Sequence, residues 1–167
     1  MISPVSLMRY AAVALLLVLV QLNLGVVAVD EVTPDLLVIF AVYIALREGQ
    51  FAGEIAGFII GLLFDFISSD IMGTNALSKM IAAFVAGYFF NEQLTTHEAI
   101  GTFRFLGIVA LAALVHNVIY YFFYVQPTDL SFWSFFGRAG VASALYTTVI
   151  AVFVMLVAAR KKTWSEI

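Results

Sequence analysis

Six apolar stretches separated by short polar segments account for nearly the whole chain of 167 residues. A helix rises about 1.5 Å per residue, so roughly 20 apolar residues cross the hydrocarbon core of a membrane. The pattern predicts helices at about residues 9–29, 34–46, 50–67, 75–90, 103–124 and 134–159. We therefore expect an all-α integral membrane protein, with residues 1–167 forming a single transmembrane domain of six helices.

Two of the six stretches leave alternatives open. The second, from Pro34 to the polar turn at Arg47, is short for a full span, so its helix is tilted, locally thins the bilayer, or re-enters it. The first can also be interpreted as a cleaved signal peptide, but such peptides have an apolar region of only about 7–15 residues. The longer run from Tyr10 to Val29 favours a retained membrane helix.

The composition supports the membrane assignment and excludes several classes of function. The chain is 63% hydrophobic and 11% charged, whereas soluble domains are about 45–50% apolar and about 25% charged. With no cysteine, the chain has neither disulfides nor thiolate metal sites. The net charge is −3 and no basic patch is present, so we do not expect nucleic-acid binding.

Charged residues predict the orientation of the bundle. In a six-helix arrangement the basic residues at the helix ends fall on one side, namely Arg9, Arg47, Arg104 and the cluster at 160–162. The connections on the other side are acidic and contain Asp30, Glu31, Asp35, Asp70 and Asp129. Because lysine and arginine accumulate on the cytoplasmic side, we expect both termini in the cytoplasm.

Small residues recur on the third predicted helix and on its neighbours. Gly53, Gly57 and Gly61 follow one another at intervals of four and lead to Asp65. Such spacing lets membrane helices approach closely. We expect a helix-packing or partner interface formed by Gly53, Gly57, Gly61, Ala83, Gly87 and Gly140. The glycine stripe packs either inside its own bundle or against another chain.

Polar side chains within the apolar stretches predict an intramembrane network. An unpaired charge inside a span costs several kcal/mol, so Asp65 requires a partner, water or the membrane interface. Lys79 and Arg138 are the candidate partners. The expected network consists of Asp65, Lys79, His116, Asn117 and Arg138. It is either a structural set of ion pairs and hydrogen bonds or a site for a proton or substrate.

Motifs for catalysis are lacking. His116 and Ser143 are the intramembrane histidine and serine to consider as a catalytic pair, but the sequence around Ser143 is not a nucleophile elbow. No phosphate-binding glycine loop and no metal-ligand spacing occurs. We therefore predict that the protein is not an enzyme and has no catalytic residues, no metal and no cofactor.

Four short motifs carry a family resemblance. They are Pro34-Asp35-Leu36-Leu37, the turn Arg47-Glu48-Gly49, the series Gly57, Gly61 and Asp65, and Gly73-x-Asn75-Ala76-Leu77. In order, spacing and total length the chain resembles the MreD family of bacterial rod-shape-determining membrane proteins. Pro34, Asp35, Gly73 and Asn75 are the residues most typical of this resemblance.

The resemblance implies a non-enzymatic component of the cell-elongation complex in the bacterial inner membrane. Such a protein binds MreC directly and, through it, is connected to MreB, to RodA and to the transpeptidase of RodA. That family is also similar in fold to the substrate-binding subunits of energy-coupling-factor transporters. The alternative function is therefore that of a transporter subunit binding a small, vitamin-like molecule.

Overall fold

A computed structural model describes residues 3–28, 32–68, 71–126 and 131–165. Over these ranges the chain is helical and contains no β-strand. The acidic loop residues Asp30, Glu31, Asp70 and Asp129 lie outside the described residues.

Eight α-helices, a 3-10 turn and a π-helical segment are seen in these ranges. In chain order they are α1 (Pro4–Leu22), the 3-10 turn Leu24–Val27, α2 (Leu36–Glu48), α3 (Gln50–Ser68), α4 (Thr74–Gly87), α5 (Thr96–Ile100), α6 (Phe103–Val125), α7 (Phe132–Phe135), the π segment Phe136–Gly140 and α8 (Val141–Ser165). The six long helices overlap the six predicted stretches.

The first helix begins and ends earlier than its hydropathy predicts. Ser3 caps α1 by accepting a hydrogen bond from the Ser6 N–H at 3.1 Å, and Pro4 occupies the first helical position, where a missing N–H costs nothing. At the other end the helix stops at Leu22, and the Asn23 side chain donates to the Leu19 carbonyl. The apolar residues after Asn23 form a 3-10 turn.

A tight turn at Gly49 joins α2 and α3. Gly49 has a φ of +96°, a left-handed conformation that favours glycine. Its N–H donates to the Ala45 carbonyl at 3.1 Å, which closes the last turn of α2. The two helices therefore form a hairpin at the polar turn Arg47-Glu48-Gly49.

Two local features were missed by the hydropathy pattern. The polar segment before α6 contains the short helix α5, which begins with a capping box in which Thr95 and Glu98 bond each other's backbone. The last long helix is not regular from its start, because the segment Phe136–Gly140 is π-helical.

The six long helices alternate in direction between two ends of the bundle. At one end Tyr10 of α1 contacts Glu48 of α2 and Gln50 of α3 donates to the Phe84 carbonyl of α4. At the opposite end Gln21 of α1 donates to the Pro34 carbonyl before α2. We call the first the basic end, since Arg9, Arg47 and Arg104 lie there, and the second the loop end.

The short helices α2 and α4 form the centre of the bundle. Nine of the 13 residues of α2 are buried, and Leu37, Val38 and Ala41 have no exposed surface. The longer helices α1, α3, α6 and α8 surround this pair and expose large apolar side chains such as Leu19 and Phe153. Exposed apolar side chains on the outside are expected where lipid is the solvent.

Four helices of the described chain are long and apolar enough to cross a membrane, namely Pro4–Leu22, Gln50–Ser68, Phe103–Val125 and the helical stretch Phe132–Arg160. At 13 and 14 residues, α2 and α4 span only about 20 Å at 1.5 Å per residue. The count of six membrane crossings stays a prediction, and so does the cytoplasmic location of both termini.

Candidate functional site: a buried charge network beneath a polar cavity

Asp35 connects four helices at the loop end. As the N-cap of α2, it accepts the Val38 N–H at Oδ1 over 2.9 Å. Its Oδ2 lies 2.8 Å from Nζ of Lys79 on α4 and 3.6 Å from Nε2 of His116 on α6. Its backbone N–H donates to Oγ1 of Thr147 on α8 at 2.9 Å. One residue thus ties α2 to α4, α6 and α8.

Lys79 is almost completely enclosed, with 1% of its side chain exposed. Its Nζ lies 2.7 Å from Oδ1 of Asn75, one helical turn earlier, and 3.1 Å from Nε2 of His116. Together with the Asp35 carboxylate, these three acceptors match the three protons of an ammonium group. The buried lysine is therefore both charge-paired and fully hydrogen-bonded, as a low-dielectric site requires.

His116 and Asn117 extend the network to the π segment. Because an ammonium group only donates, Nε2 of His116 must accept from Lys79, which places the imidazole proton on Nδ1. That Nδ1 lies 3.0 Å from Oδ1 of Asn117, which fits donation of this proton. The Asn117 amide in turn donates to the Gly140 carbonyl at 2.7 Å. The chain of bonds thus runs from α2 to the π segment.

Asp65 has a separate role as the cap of α4. Its carboxylate accepts the N–H groups of Gly73 at 3.0 Å, Asn75 at 3.2 Å and Ala76 at 3.1 Å. These donors lie at the start of α4, where backbone N–H groups have no partner within the helix and the helix dipole favours a negative charge. Asp65 is fully buried, so its charge is balanced by these amides.

The network lies at the wall of a polar cavity of about 990 Å³ at the loop end. Asp35, Asn75, His116 and Asn117 contribute to its lining. The rest comes from Gln21 of α1, the α1–α2 connection, Phe64 of α3, the loop end of α6 and the residues from Ser131 to Tyr146. Three tyrosines of α6 line it together, Tyr120, Tyr121 and Tyr124, with Tyr120 stacked on the His116 ring.

The structure brings together three of the five residues of the predicted polar network and pairs them differently from the expectation. Lys79, His116 and Asn117 meet, but Asp65 bonds backbone amides and Lys79 pairs with Asp35. Arg138 is exposed, lines the cavity and forms no ion pair with any described residue. The reason is position: Asp65 lies at the last turn of α3, within reach of the first amides of α4, whereas Lys79 lies one turn further into the bundle.

The predicted small-residue interface lies inside the chain. A Cβ added to Gly57 would lie 2.6 Å from the Lys79 carbonyl oxygen, and one added to Gly61 would lie 2.5 Å from that of Asn75. The stripe is thus the contact between α3 and α4. The other members are also enclosed, and Ala83 is fully buried. A Cβ added to Gly53 would contact Ala45, one added to Gly87 would contact Gln50, and one added to Gly140 would contact Phe136 and Tyr121.

The four family-like residues all lie around the network. Pro34 is buried and its carbonyl accepts the Gln21 side chain at 2.9 Å. Asp35 and Asn75 both contact Lys79. Gly73 has a φ of +90° at the N-cap of α4 and donates to Asp65. Asp35 is therefore the central residue that the predicted network omitted, although an aspartate directly before an apolar run is a recognised helix start.

The chemistry available at the site is polar recognition. The cavity presents phenolic hydroxyls, a carboxylate and the Arg138 guanidinium, while Lys79 is occupied by the network. Among the described residues, no group of three histidine, cysteine or acidic side chains is placed to hold a metal ion.

Comparison with known proteins gives one match. A family model described as "rod shape-determining protein MreD" matches residues 4–159, which cover nearly the whole chain and all the residues of the network. No curated protein and no solved structure matches, so the similarity to transporter subunits stays a prediction. With its long apolar helices and this match, the chain is a multi-pass membrane protein that belongs to the MreD family of rod shape-determining proteins.

Proposed function

We propose that the protein is a non-enzymatic scaffold of the bacterial elongation complex in the inner membrane and that it binds MreC directly. Membership of the rod-shape-determining family supports the cellular role. Association with MreB, RodA and the transpeptidase of RodA is then indirect and depends on MreC. Peptidoglycan synthesis and cell shape depend on the protein through this assembly.

The observation that carries the binding proposal is the cavity at the loop end. The glycine face of α3 is not available for a partner, because Gly57 and Gly61 pack against the backbone of α4 inside the bundle. The cavity, by contrast, presents polar and aromatic surface, including Tyr124 and Arg138. Its volume of about 990 Å³ is large enough for several side chains of a partner. A membrane-proximal segment of a single-span partner fits such a site.

Site-directed photocrosslinking tests this proposal in living cells. A photoreactive amino acid at Tyr124 or Ser134, both on the cavity lining, should form a covalent product with MreC. The matched control is Leu145 on α8, which is 63% exposed and does not line the cavity. Equal crosslinking from all three positions, or no product with MreC from any of them while the protein is present at normal level, contradicts the proposal.

The same cavity supports a second candidate function, that of a subunit binding a small, vitamin-like molecule. Ligand pockets have volumes of about 300–1,000 Å³ with a few convergent polar groups, and this cavity lies at the upper limit. Thermal unfolding of the purified protein across a panel of vitamins distinguishes the two functions. A stabilisation of several degrees by one compound, lost when Ala142 at the cavity lining is replaced by tryptophan, favours transport.

A further inference from the structure

A groove that is separate from the cavity lies on the outside of the bundle. Its floor is α2, and its walls are α1 and α8. In the described ranges α1 packs on α2 and α3 but does not contact α8, so the gap between the walls stays open. The groove holds about 330 Å³ and its lining is apolar along most of its length, with Val13, Leu17, Phe40, Ile150 and Val154 as examples.

The groove ends at two arginines. Arg9 of α1 and Arg47 of α2 both line it at the basic end of the bundle. Arg9 is exposed and forms no ion pair within the described ranges. The Arg47 guanidinium donates to the Tyr43 hydroxyl at 2.7 Å and lies 3.3 Å from the Glu48 carboxylate. Two guanidinium groups against one carboxylate leave a net positive charge and unused N–H donors at this end.

The length of the groove matches one leaflet of a bilayer. Its floor extends along α2 from Leu36 to Arg47, and at 1.5 Å per residue this is roughly 16 Å. Half of a hydrocarbon core of about 30 Å is about 15 Å. The groove is apolar, about as long as one leaflet is thick, and cationic at one end. It therefore matches a lipid molecule in length and polarity.

We propose that this groove binds a diacyl phospholipid with an anionic headgroup. One acyl chain lies along α2 between α1 and α8, and the headgroup phosphate accepts hydrogen bonds from Arg9 and Arg47. Basic pockets between membrane helices are a known means of holding anionic headgroups. A partner helix fits less well, because one helical turn of about 10 Å diameter occupies roughly 400 Å³, more than the whole groove.

Native mass spectrometry of the purified full chain tests the charge recognition. The protein is delipidated in detergent and then mixed with equal amounts of phosphatidylglycerol and phosphatidylcholine carrying identical chains. We expect the wild type to retain the anionic lipid about tenfold more than the zwitterionic one, and Arg9→Gln to reduce this ratio to about one. The control Arg104→Gln removes an arginine at the same end that does not line the groove, and should keep the ratio.

A second pair of variants tests the acyl-chain site. Val13→Trp fills the groove and should reduce retention of phosphatidylglycerol about tenfold. Leu15→Trp, which lies about 200° from Val13 around the same helix and is 54% exposed, should not. Equal retention of both lipids by the wild type, an unchanged ratio in Arg9→Gln, or equal effects of the two tryptophans would overturn the proposal. Photocrosslinking from Val13 to a protein instead of lipid would also overturn it.

Discussion

The ammonium group of Lys79 lies 2.8 Å from the carboxylate of Asp35, which joins the start of α2 to the first turns of α4 at the centre of the bundle. Along the sequence Asp35 belongs to a short motif before the second apolar stretch, whereas Lys79 is a single charge within the fourth. In the folded protein the pair is the point at which the N-terminal hairpin and the two long C-terminal helices are connected.

Removal of one member of this pair should destabilise the protein more than removal of both. Lys79→Met leaves the Asp35 carboxylate uncompensated, and breaking a buried ion pair in this way costs about 3–5 kcal/mol. The double variant Asp35→Leu with Lys79→Met should regain part of this loss. Unfolding by denaturant in mixed micelles measures all three values. Arg138→Gln serves as the control and should change stability by less than about 0.5 kcal/mol, as other exposed positions do.

Asp65→Asn should weaken the start of α4. The carboxylate accepts three backbone N–H groups, whereas an amide has only one accepting oxygen and its NH₂ group would face donors. Hydrogen bonds to charged groups contribute about 1.5–3 kcal/mol each, so we expect a loss of at least about 2 kcal/mol. Amide hydrogen exchange should rise first at Gly73, Asn75 and Ala76. Exchange rates there equal to those of the wild type would contradict the capping role.

Adding a single methyl group to α3 should be far more costly than adding one to α6. In Gly57→Ala the new Cβ would lie 2.6 Å from a backbone oxygen, so α3 and α4 must separate, and overpacking of this kind costs about 1–3 kcal/mol. In Gly107→Ala the new Cβ would have no atom within 4 Å outside its own helix. This substitution should leave the stability of the protein unchanged or raise it by up to about 1 kcal/mol. Thermal unfolding of the two variants in the same detergent gives the comparison. Similar melting temperatures would show that the contact with α4 is not tight.

Cysteine labelling should reveal the orientation of the bundle. The chain has no cysteine, so a single introduced thiol is the only one to react. If both termini are cytoplasmic, Gln126→Cys at the loop end should react with a membrane-impermeant maleimide in intact spheroplasts, and Ser3→Cys should react only after permeabilisation. The reverse pattern would invert the orientation, and labelling of both sites in intact cells would rule out six crossings.

The hydropathy pattern predicted six stretches that overlap the long helices, but it did not indicate the contacts of their polar residues. Lys79, His116 and Asn117 were recognisable because a polar side chain in an apolar stretch needs a partner. Spacing alone could not show whether Lys79 pairs with Asp65 or with Asp35. The choice depends on one helical turn, because Asp65 lies level with the first amides of α4 and Lys79 lies one turn further into the bundle. A capping analysis of Asp35, directly before an apolar run, would have indicated a helix start and hence a buried carboxylate.

The sequence indicated the helix α5 but not the π segment. The helix α5 was detectable in principle, because Thr95 and Glu98 have the spacing of a capping box. The π segment at Phe136–Gly140 had no recognised sequence signal. The hydrogen bond from Asn117 of α6 to the Gly140 carbonyl joins residues 23 apart, and such a contact becomes visible only in the folded bundle.

The enclosure of α2 by longer helices separates the core from the dimensions of the surrounding membrane. A helix that faces lipid must match the local hydrocarbon thickness by tilting or by deforming the bilayer. With nine of its 13 residues buried, α2 faces the outside only along the groove between α1 and α8, and its outer neighbours α1, α3, α6 and α8 form most of the surface that meets lipid. Tilting of the outer helices in a thicker or thinner bilayer would therefore leave the distance between Asp35 and Lys79 unchanged.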